Sequence, residues 1–341
     1  MKKYLFVLMA IVLVFCGFKL QSTFDIIIPN GWPKHAYDFS KNQLTEEKIL
    51  LGRVLFYDPI LSKNNTISCA SCHSQYTAFT HVDHALSHGI EDRIGNRNAP
   101  ALMNLAWHTN FMWDGAIHHL DFQSLAPIEN HDEMDEKIEQ VILKLNQLPR
   151  YKNLFLNAYG DSLITGERTL KALSQFMLTL VSANSKYDKV MQQKDTFTQQ
   201  EQNGYLLFKQ HCASCHTEPL FTNLQFENNG LPVDSILNDW GRMRITQKAN
   251  DSLKFKVPTL RNIEFSFPYM HDGRFKKLSQ VLNHYTNGIV HYTNLSPTLK
   301  QTIILTSNQK VDITAFLLTL TDKEFLFNKQ FNYPKEANHL K

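Results

Sequence analysis

The chain has almost no excess of charge of either sign. Of its 341 residues, 35 are Lys or Arg and 32 are Asp or Glu. Lys2, Lys3 and Lys19 lie within the first 20 residues, which contain no acidic side chain, so the rest of the chain has 32 basic and 32 acidic residues. A balanced surface lacks the basic excess with which proteins bind nucleic acid. We therefore expect no nucleic-acid partner.

Low-complexity segments and strand-like alternation are also missing. No run of the sequence alternates apolar and polar residues as a core strand would. Apolar residues recur instead with helical spacing over residues 138–148 and 170–181, and a 43% hydrophobic content is enough for two modest cores. The sequence therefore predicts an all-α chain with two domains.

The first 20 residues have the pattern of an export signal. Lys2 and Lys3 precede an apolar run from Tyr4 to Phe18, which has the length of a signal peptide. We expect removal of residues 1–20 and a periplasmic protein. Two alternatives keep the chain at the membrane: an uncleaved anchor, or a lipid-modified Cys16, for which the preceding bulky Phe15 is unfavourable.

Cysteine is scarce, and four of the five occur in two identical patterns. Residues 69–73 and 212–216 both read C-A-S-C-H. In a C-x-x-C-H segment the two thiols attach to the vinyl groups of a haem, and the histidine binds its iron. The sequence therefore predicts two covalent c-type haems, with iron ligands His73 and His216. The predicted attachment residues are Cys69 and Cys72 for the first haem, and Cys212 and Cys215 for the second.

Three other uses of paired cysteines are less consistent with this sequence. A zinc site does not need a histidine after each pair, and a thioredoxin-like dithiol does not need two copies. Two disulfides would leave the histidines unexplained.

The distance between the two patterns indicates one haem per domain. Cys212 follows Cys69 by 143 positions, too far for two haems in one small cytochrome core. We expect two cytochrome c-like helical domains, with the polar stretch Lys186–Gln202 as their linker. The predicted boundaries are 21–42 for an N-terminal extension, 43–190 for the first haem domain, 195–325 for the second and 326–341 for a C-terminal tail.

Three helices can be predicted around the haem sites. Thr45 is a suitable N-cap, and the helix after it should bury Ile49 and Leu55. A second helix should carry Gly204, Tyr205 and Phe208 toward Cys212. A third should span Asp312–Leu320, with an apolar stripe made of Ile313, Phe316, Leu317 and Leu320.

The sequence resembles the bacterial di-haem cytochrome c peroxidases and their relative MauG. The similarity runs in order from residue 43 to residue 322. The matching segments are Leu51–Pro59, Gly95–Pro100, Trp113–Gly115, Lys256–Asn262 and Tyr269–Arg274. The resemblance implies a peroxide-reducing haem in the first domain and an electron-transfer haem in the second.

The resemblance also implies roles for three residues between the two haem motifs. Glu133 matches the glutamate that moves a proton between the oxygens of peroxide, and Gln123 matches a glutamine that orders the same pocket. Trp113 matches a tryptophan that relays electrons between the haems. Glu133 could instead be an ordinary exposed acid, and Trp113 a core aromatic.

The resemblance implies a calcium ion and partners as well. Asn98, with the backbone carbonyls of Ser266 and Pro268, matches a calcium site, and such hard oxygen ligands suit that ion. The implied partners are hydrogen peroxide and a small electron donor, either a cytochrome c or a cupredoxin. The family often forms homodimers.

Tyr285 and Ala116 depart from the peroxidase pattern, and the match of His88 is made with a longer interval to Arg97 than is usual in the family. Tyr285 stands where a typical peroxidase has the methionine ligand of the second haem. A tyrosine ligand resembles MauG. Alternatively, Tyr285 is a structural residue and His284 or another side chain is the ligand. His88 is the candidate distal ligand of the first haem, with His81 and His84 nearby; it could equally be a free loop histidine. Ala116 replaces the usual arginine after Trp113–Gly115, so any ion pair of that arginine is in doubt.

These observations predict a di-haem cytochrome c peroxidase. Peroxide is expected at the iron held by His73, and electrons are expected to enter through the second domain. Two other functions fit parts of the pattern. Tyr285 favours a MauG-like enzyme that oxidises Trp or Tyr residues of a partner protein. A non-catalytic di-haem electron carrier would not need Gln123 and Glu133.

Overall fold

A computed structural model of the chain describes residues 25–335. The α-helices are α1 Glu46–Tyr57, α2 Cys69–Cys72, α3 Leu120–Gln123, α4 Leu125–Glu129, α5 Ile138–Asn146, α6 Pro149–Tyr159, α7 Gly166–Leu178, α8 Lys186–Met191, α9 Gln199–His211, α10 Met243–Thr246, α11 Leu278–Asn283, α12 Ser307–Leu318 and α13 Lys323–Leu326. A π-helical turn, His284–Gly288, follows α11. Within residues 25–335 the only strands are the antiparallel pair β1 Phe226–Glu227 and β2 Phe255–Lys256. The fold is therefore mostly helical.

Short 3₁₀ turns connect these helices. They cover Phe39–Lys41, Pro59–Leu61, Gln75–Thr77, Ile90–Asp92, Leu105–Trp107, Ala249–Asp251, Pro297–Leu299 and Lys329–Phe331. None of the helices in the described part of the chain is both long and apolar enough to cross a membrane. The predicted signal segment, 1–20 with Cys16, and residues 336–341 of the predicted tail lie outside the described residues.

The first predicted helix begins where its capping residue indicates. Thr45 has extended backbone geometry, and its hydroxyl accepts a hydrogen bond from the Lys48 amide at 3.3 Å. Such a bond satisfies an amide that the first helical turn leaves unpaired. Leu55 of α1 is fully buried, whereas Ile49 is only partly buried. The predictions for this helix and its buried face are confirmed apart from the extent of Ile49 burial.

Two apolar clusters form the core, and each is centred on a pair of crossing helices. In the larger cluster α1 packs on α7; in the smaller, α9 packs on α12. The predicted stripe of α12 is confirmed, because its four apolar residues are all buried. Helix α12 itself ends at Leu318, two residues before the predicted end.

In both clusters the two helices cross where a glycine of one lies against a backbone carbonyl of the other. A Cβ atom on Gly52 of α1 would lie 1.8 Å from the Ala172 carbonyl oxygen, and one on Gly204 of α9 would lie 1.9 Å from that of Asp312. Only glycine leaves room for a backbone carbonyl at this distance. Each crossing also has a phenylalanine four residues after the carbonyl, Phe176 in α7 and Phe316 in α12. The half of the molecule built on the larger cluster and the half built on the smaller one therefore have the same type of helix crossing.

The predicted linker Lys186–Gln202 is wrong at both ends, since residues 199–202 already belong to α9. Residues 186–191 form α8, and its Tyr187 is buried in the smaller cluster. Polar residues of the predicted linker have structural partners: Thr198 caps α9, and Lys186 lies 2.6 Å from Glu201. Ser185, directly before the linker, caps α8. Polar composition here reflects two adjacent helix starts rather than an unstructured connection.

The end of the described chain returns to the larger cluster. Phe325 lies 5.8 Å from Phe79, measured between ring centroids, and Phe331 is also part of that core. The hydroxyl of Tyr57 in α1 donates to the Phe331 carbonyl at 2.7 Å. Residues after α12 therefore pack on the half of the molecule that contains α1.

Candidate functional site

The first C-x-x-C-H segment presents a fixed histidine beside two thiols. Cys69 and Cys72 begin and end α2, and His73 follows at its C-cap. The His73 Nδ1–H donates to the Phe79 carbonyl at 2.7 Å. Because a carbonyl can only accept, the other ring nitrogen, Nε2, carries the lone pair that could bind a metal. Burial lowers the pKa of His73 to about 4, so the ring stays neutral.

The second C-x-x-C-H segment has the same arrangement. His216 Nδ1 lies 3.2 Å from the Phe221 carbonyl oxygen and 3.1 Å from that of Pro258. Burial lowers the pKa of His216 to about 4. Both histidines therefore hold Nδ1 against the backbone and leave Nε2 for a metal, the orientation expected for a haem ligand.

The other uses of the four cysteines do not fit this geometry. All four are free thiols. Burial raises the pKa of Cys69 and of Cys212 to about 12, whereas a redox-active dithiol needs a lowered pKa. Cys69 packs against the larger apolar cluster and Cys212 against the smaller one, so the two pairs do not belong to one four-thiolate site. The residues instead fit attachment of haem.

A cavity of about 280 Å³ joins elements from both halves of the molecule. Its wall includes the second C-x-x-C-H segment and apolar side chains such as Leu102, Leu260 and Leu317. Trp113 and Gln123 line the same cavity, but Cys69, Cys72 and His73 are not part of its lining. A largely apolar space beside two thiols and a free imidazole nitrogen is the environment that a porphyrin requires.

Trp113 lies at the junction of the two halves. Its indole Nε1–H donates to the Asn98 carbonyl at 2.8 Å, and its own carbonyl accepts from the Lys256 amide at 2.7 Å. Next to it, Asp114 forms an ion pair with Arg97 at 2.6 Å, and Arg97 also contacts Asp239 at 2.6 Å. The indole is therefore held in one orientation beside the cavity.

Gln123 and Glu133 lie on neighbouring parts of the first half. Gln123, at the end of α3, lines the cavity and places its amide nitrogen 3.7 Å from the Met112 sulfur. Glu133 is not part of that lining. Its backbone carbonyl accepts from the Ile90 amide at 2.8 Å, in the loop whose His88 carbonyl accepts from the Cys72 thiol. Burial, and after it the charge of Glu133, raises the pKa of Cys72.

Glu133 has the environment of a group that can carry a proton. Burial raises the pKa of its carboxyl, and a hydrogen bond from Asn130, at 2.8 Å, partly offsets this shift. The Glu133 side chain is partly buried, and its role in proton transfer stays a prediction. A raised pKa brings a carboxyl closer to the range useful for proton transfer.

His88 lies in a loop that packs against the first thiol pair. Its carbonyl accepts from the Cys72 thiol at 3.4 Å. Its ring Nδ1 lies 2.7 Å from Asp92, and the ring stacks on His84 at 4.0 Å between centroids. The ring Nε2 is thereby left available. Binding of His88 to the first haem stays a prediction.

Tyr285 faces the cavity from the π-helical turn, whereas His284 does not. The Tyr285 side chain lines the cavity, and burial raises its pKa to about 12. His284 is buried elsewhere, with Nε2 held 3.1 Å from the Asn229 carbonyl. Single π-helical turns are common at functional sites. The geometry therefore favours Tyr285 over His284 as a ligand in this cavity.

The predicted calcium ligands lie along one wall of the cavity. Asn98, Ser266 and Pro268 all belong to its lining. The Asn98 side-chain amide donates to the Ala85 carbonyl at 3.0 Å, which leaves the Asn98 side-chain oxygen available to an ion. Calcium binding at these residues stays a prediction.

An arginine from another part of the chain lies near Ala116, where the family pattern has one. Arg242 donates to the Asp114 carbonyl at 3.0 Å and stacks on Phe226 at 3.8 Å. Its guanidinium is also the group that a Cβ on Gly115 would meet, at 2.7 Å. The turn after Trp113 therefore has a guanidinium beside it, although Ala116 replaces the arginine that the family usually has in this turn.

Four further residues on this cavity were not predicted from sequence. Met270 and Asn229 lie near Tyr285, since the Asn229 amide is 3.6 Å from the Met270 sulfur and 3.5 Å from the Tyr285 oxygen. His108 and Lys256 also line the wall. Met270 and Lys256 fall within the segments that carry the family resemblance, but nothing in those segments indicates which side chains face the cavity.

Known proteins share both sequence and fold with this chain. The family described as di-haem cytochrome c peroxidase matches residues 46–196. The methylamine utilization protein MauG of Methylorubrum extorquens is 35% identical over 82% of this chain and 79% of its own length. The cytochrome c551 peroxidase of Nitrosomonas europaea is 36% identical over 68% of this chain and 70% of its own.

A solved structure supports the same relationship. The structure of a MauG-like protein associated with microbial copper homeostasis superposes with a TM-score of 0.80 at 30% identity. It covers 91% of this chain and 99% of that protein. The similarity therefore extends over both halves of the molecule.

Proposed function

The chain belongs to the di-haem cytochrome c peroxidase family and is a haem oxidoreductase, and we propose that it reduces hydrogen peroxide to water. The observation that carries this proposal is the matched geometry of His73 and His216. Each is neutral, donates Nδ1–H to a backbone carbonyl and lies beside a pair of thiols. Two haems attached through these thiols would occupy two cytochrome c-like domains.

The chemistry divides between the cofactor and the chain. Haem iron supplies a coordination position for peroxide and the electrons that reduce it. Glu133 supplies the proton transfer, because burial raises the pKa of its carboxyl and its backbone contacts the loop that packs against Cys72 of the first attachment site. Gln123 would orient the bound substrate, and Trp113 would relay electrons between the two haems, since its indole lines the cavity of the second attachment site and its Nε1–H is held by the Asn98 carbonyl of the first half.

The electrons come from a small one-electron donor. The name cytochrome c551 peroxidase, carried by a relative 36% identical to this chain, points to a small cytochrome, and a cupredoxin could serve in the same way. The donor would dock on the second domain through a small, transient interface. We place the reaction in the periplasm, as the N-terminal signal pattern suggests, with calcium held by Asn98, Ser266 and Pro268.

Haem attachment is tested by the intact mass of the chain after expression with a c-type haem maturation system. We expect the mass of the processed chain plus two haems. Cys69→Ala/Cys72→Ala and Cys212→Ala/Cys215→Ala should each remove one. A wild-type chain that gains no haem mass would contradict the proposal.

Catalysis is tested with Glu133→Gln. General acid–base groups typically contribute 10²–10⁴-fold, so peroxide turnover should fall by roughly this factor while haem content stays unchanged. The matched control is Asp132→Asn, which removes the charge of the exposed neighbouring residue. Equal losses in the two variants would remove Glu133 from the mechanism.

A second function is favoured by one observation, the position of Tyr285 on the cavity wall. A phenolate ligand stabilises ferric iron, as at the tyrosine-ligated haem of catalase. With this ligand the chain would act as a MauG-like enzyme that oxidises Trp or Tyr residues of another protein.

Electron paramagnetic resonance of the ferric protein distinguishes the two functions. A high-spin haem that reacts with peroxide without prior reduction, and a second haem whose signal changes in Tyr285→Phe, would support the MauG-like enzyme. Two low-spin haems that react only after one-electron reduction would support a gated peroxidase, with His88 as the gate.

A further inference from the structure

Lys256 places an ammonium group in the wall of the cavity. It belongs to β2, where its amide donates to the Trp113 carbonyl. The side chain reaches the Asn110 carbonyl, with 2.8 Å between Nζ and the oxygen, and lies 5.9 Å from the centre of the Phe111 ring. The reaction proposed above gives this side chain no role.

The ammonium has no carboxylate partner in the described part of the chain. Its hydrogen bond to the Asn110 carbonyl leaves two further N–H groups. Burial alone lowers its pKa, with no contribution from a nearby acid, to about 8. At neutral pH the group therefore remains mostly charged. A partly buried charge without a counter-ion is unfavourable, because the remaining water compensates only in part for the lost hydration.

The residues around Lys256 also provide no counter-ion for its ammonium group. Among the described residues that line the cavity, Lys256 is the only Lys or Arg, and Glu227 is the only carboxylate. His108 lies nearby, since the Lys256 charge adds to burial in lowering the pKa of that histidine. Both ring nitrogens of His108 are enclosed and unpartnered. The ring is therefore neutral and cannot act as the missing anion.

A haem would bring the missing anion into this space. A porphyrin of the haem type is apolar apart from its iron and two propionate carboxylates, and it would lie in the cavity that Lys256 lines. We propose that Lys256 is the counter-ion of a haem propionate at the boundary between the two haem sites. The inference rests on the proposed function, since it requires haem in this cavity.

This pairing has a consequence that does not depend on turnover. A propionate charge disfavours the extra electron of the reduced iron, and a paired ammonium offsets that effect. Removing the ammonium should therefore lower the midpoint potential of the haem whose propionate it binds. The potential of the other haem should change much less, because the interaction weakens with distance.

The experiment measures both midpoint potentials of the haem-loaded full chain by spectroelectrochemical titration. Lys256→Met should lower one of them, and Lys256→Arg, which keeps the charge, should restore it. The matched control is Lys254→Met. Lys254 lies two residues earlier but pairs with Asp251 at 3.3 Å, so its removal should leave both potentials unchanged.

Each remaining outcome counts against a particular claim. Unchanged potentials in Lys256→Met, or equal shifts in Lys256→Met and Lys256→Arg, would overturn the propionate pairing while leaving the peroxidase proposal intact. Wild-type potentials that follow added acetate would mean that Lys256 binds a diffusible anion instead. A chain without covalent haem would contradict the proposed function itself.

Discussion

Glu133 is the residue whose protonation should control activity. Burial raises the pKa of its carboxyl above the ordinary 4.5, so the carboxylate needed to accept a proton forms only at higher pH than for an exposed glutamate. We expect kcat/KM to rise with pH through this raised pKa and to fall on acidification. The pH profile of peroxide consumption measures the effect.

The control for this pH profile is Glu133→Gln, which has no carboxyl to titrate. Its remaining activity should lack the acid limb that wild type shows. An identical limb in both proteins would assign the titration to another group, and Glu133 would then have no role in proton transfer.

Some residues of the candidate site can be predicted from the sequence, and others cannot. The C-x-x-C-H histidines can be predicted because the motif itself specifies their chemistry. Glu133 could be identified only through family resemblance, since its short polar segment has no motif. Lys256 could not be predicted at all, because whether a lysine faces water or an enclosed cavity depends on residues distant in sequence, here Asn110 and Trp113.

The helix pairs α1 with α7 and α9 with α12 make a specific prediction about their crossing glycines. In Gly204→Ala, the new Cβ would overlap the Asp312 carbonyl, so α9 would have to move away from α12. We expect a loss of about 1–3 kcal/mol in the free energy of unfolding, as for other overpacked cores. Urea denaturation of the haem-loaded protein measures this.

Asn203→Ala is the control, since Asn203 is exposed on the same helix. Its free energy of unfolding should stay within about 0.5 kcal/mol of wild type. If Gly204→Ala is as stable as this control, the close approach of α9 and α12 is not needed for stability.

Element boundaries were predictable where a capping residue marks them. Thr45 predicts the start of α1 because its side chain satisfies an unpaired amide of the first turn. The same chemistry misled the prediction of a linker over Lys186–Gln202, because Thr198 within it caps α9 and Ser185 just before it caps α8. The packing of Phe325 on Phe79 was not predictable, because local periodicity contains no information about contacts across so long a stretch of chain.

Across the whole molecule, Arg97 connects the two halves. It pairs with Asp114 beside Trp113 and with Asp239 in the other half, and both carboxylates are buried. Arg97→Met would remove the close cationic partner of both buried carboxylates and leave Asp239 only the more distant Arg244, at 3.9 Å; breaking a buried ion pair typically costs about 3–5 kcal/mol. We expect a loss of this order in the free energy of unfolding.

The pH dependence of the free energy of unfolding tests the same ion pair independently. The Arg97 guanidinium outweighs burial and holds the pKa of Asp239 below its ordinary value. The ion pair therefore stabilises the folded protein fully above the pKa that Asp239 has in the unfolded chain. This stabilisation is lost as the pH falls through the lower pKa of Asp239 in the folded protein. Arg97→Met should flatten this part of the stability profile. Arg168→Met is the control, because its ion pair with Asp161 is on the surface and should contribute much less to stability.

Peroxide-dependent oxidation of a reduced electron donor tests the proposed peroxidase activity most directly. The haem-loaded chain would be mixed with hydrogen peroxide and a reduced small cytochrome c, with a low-molecular-weight reductant in a parallel reaction. We predict that two donor molecules are oxidised for each peroxide consumed, and that Glu133→Gln slows the reaction with either reductant. A fully haem-loaded chain that consumes no peroxide with either reductant would contradict the proposed function.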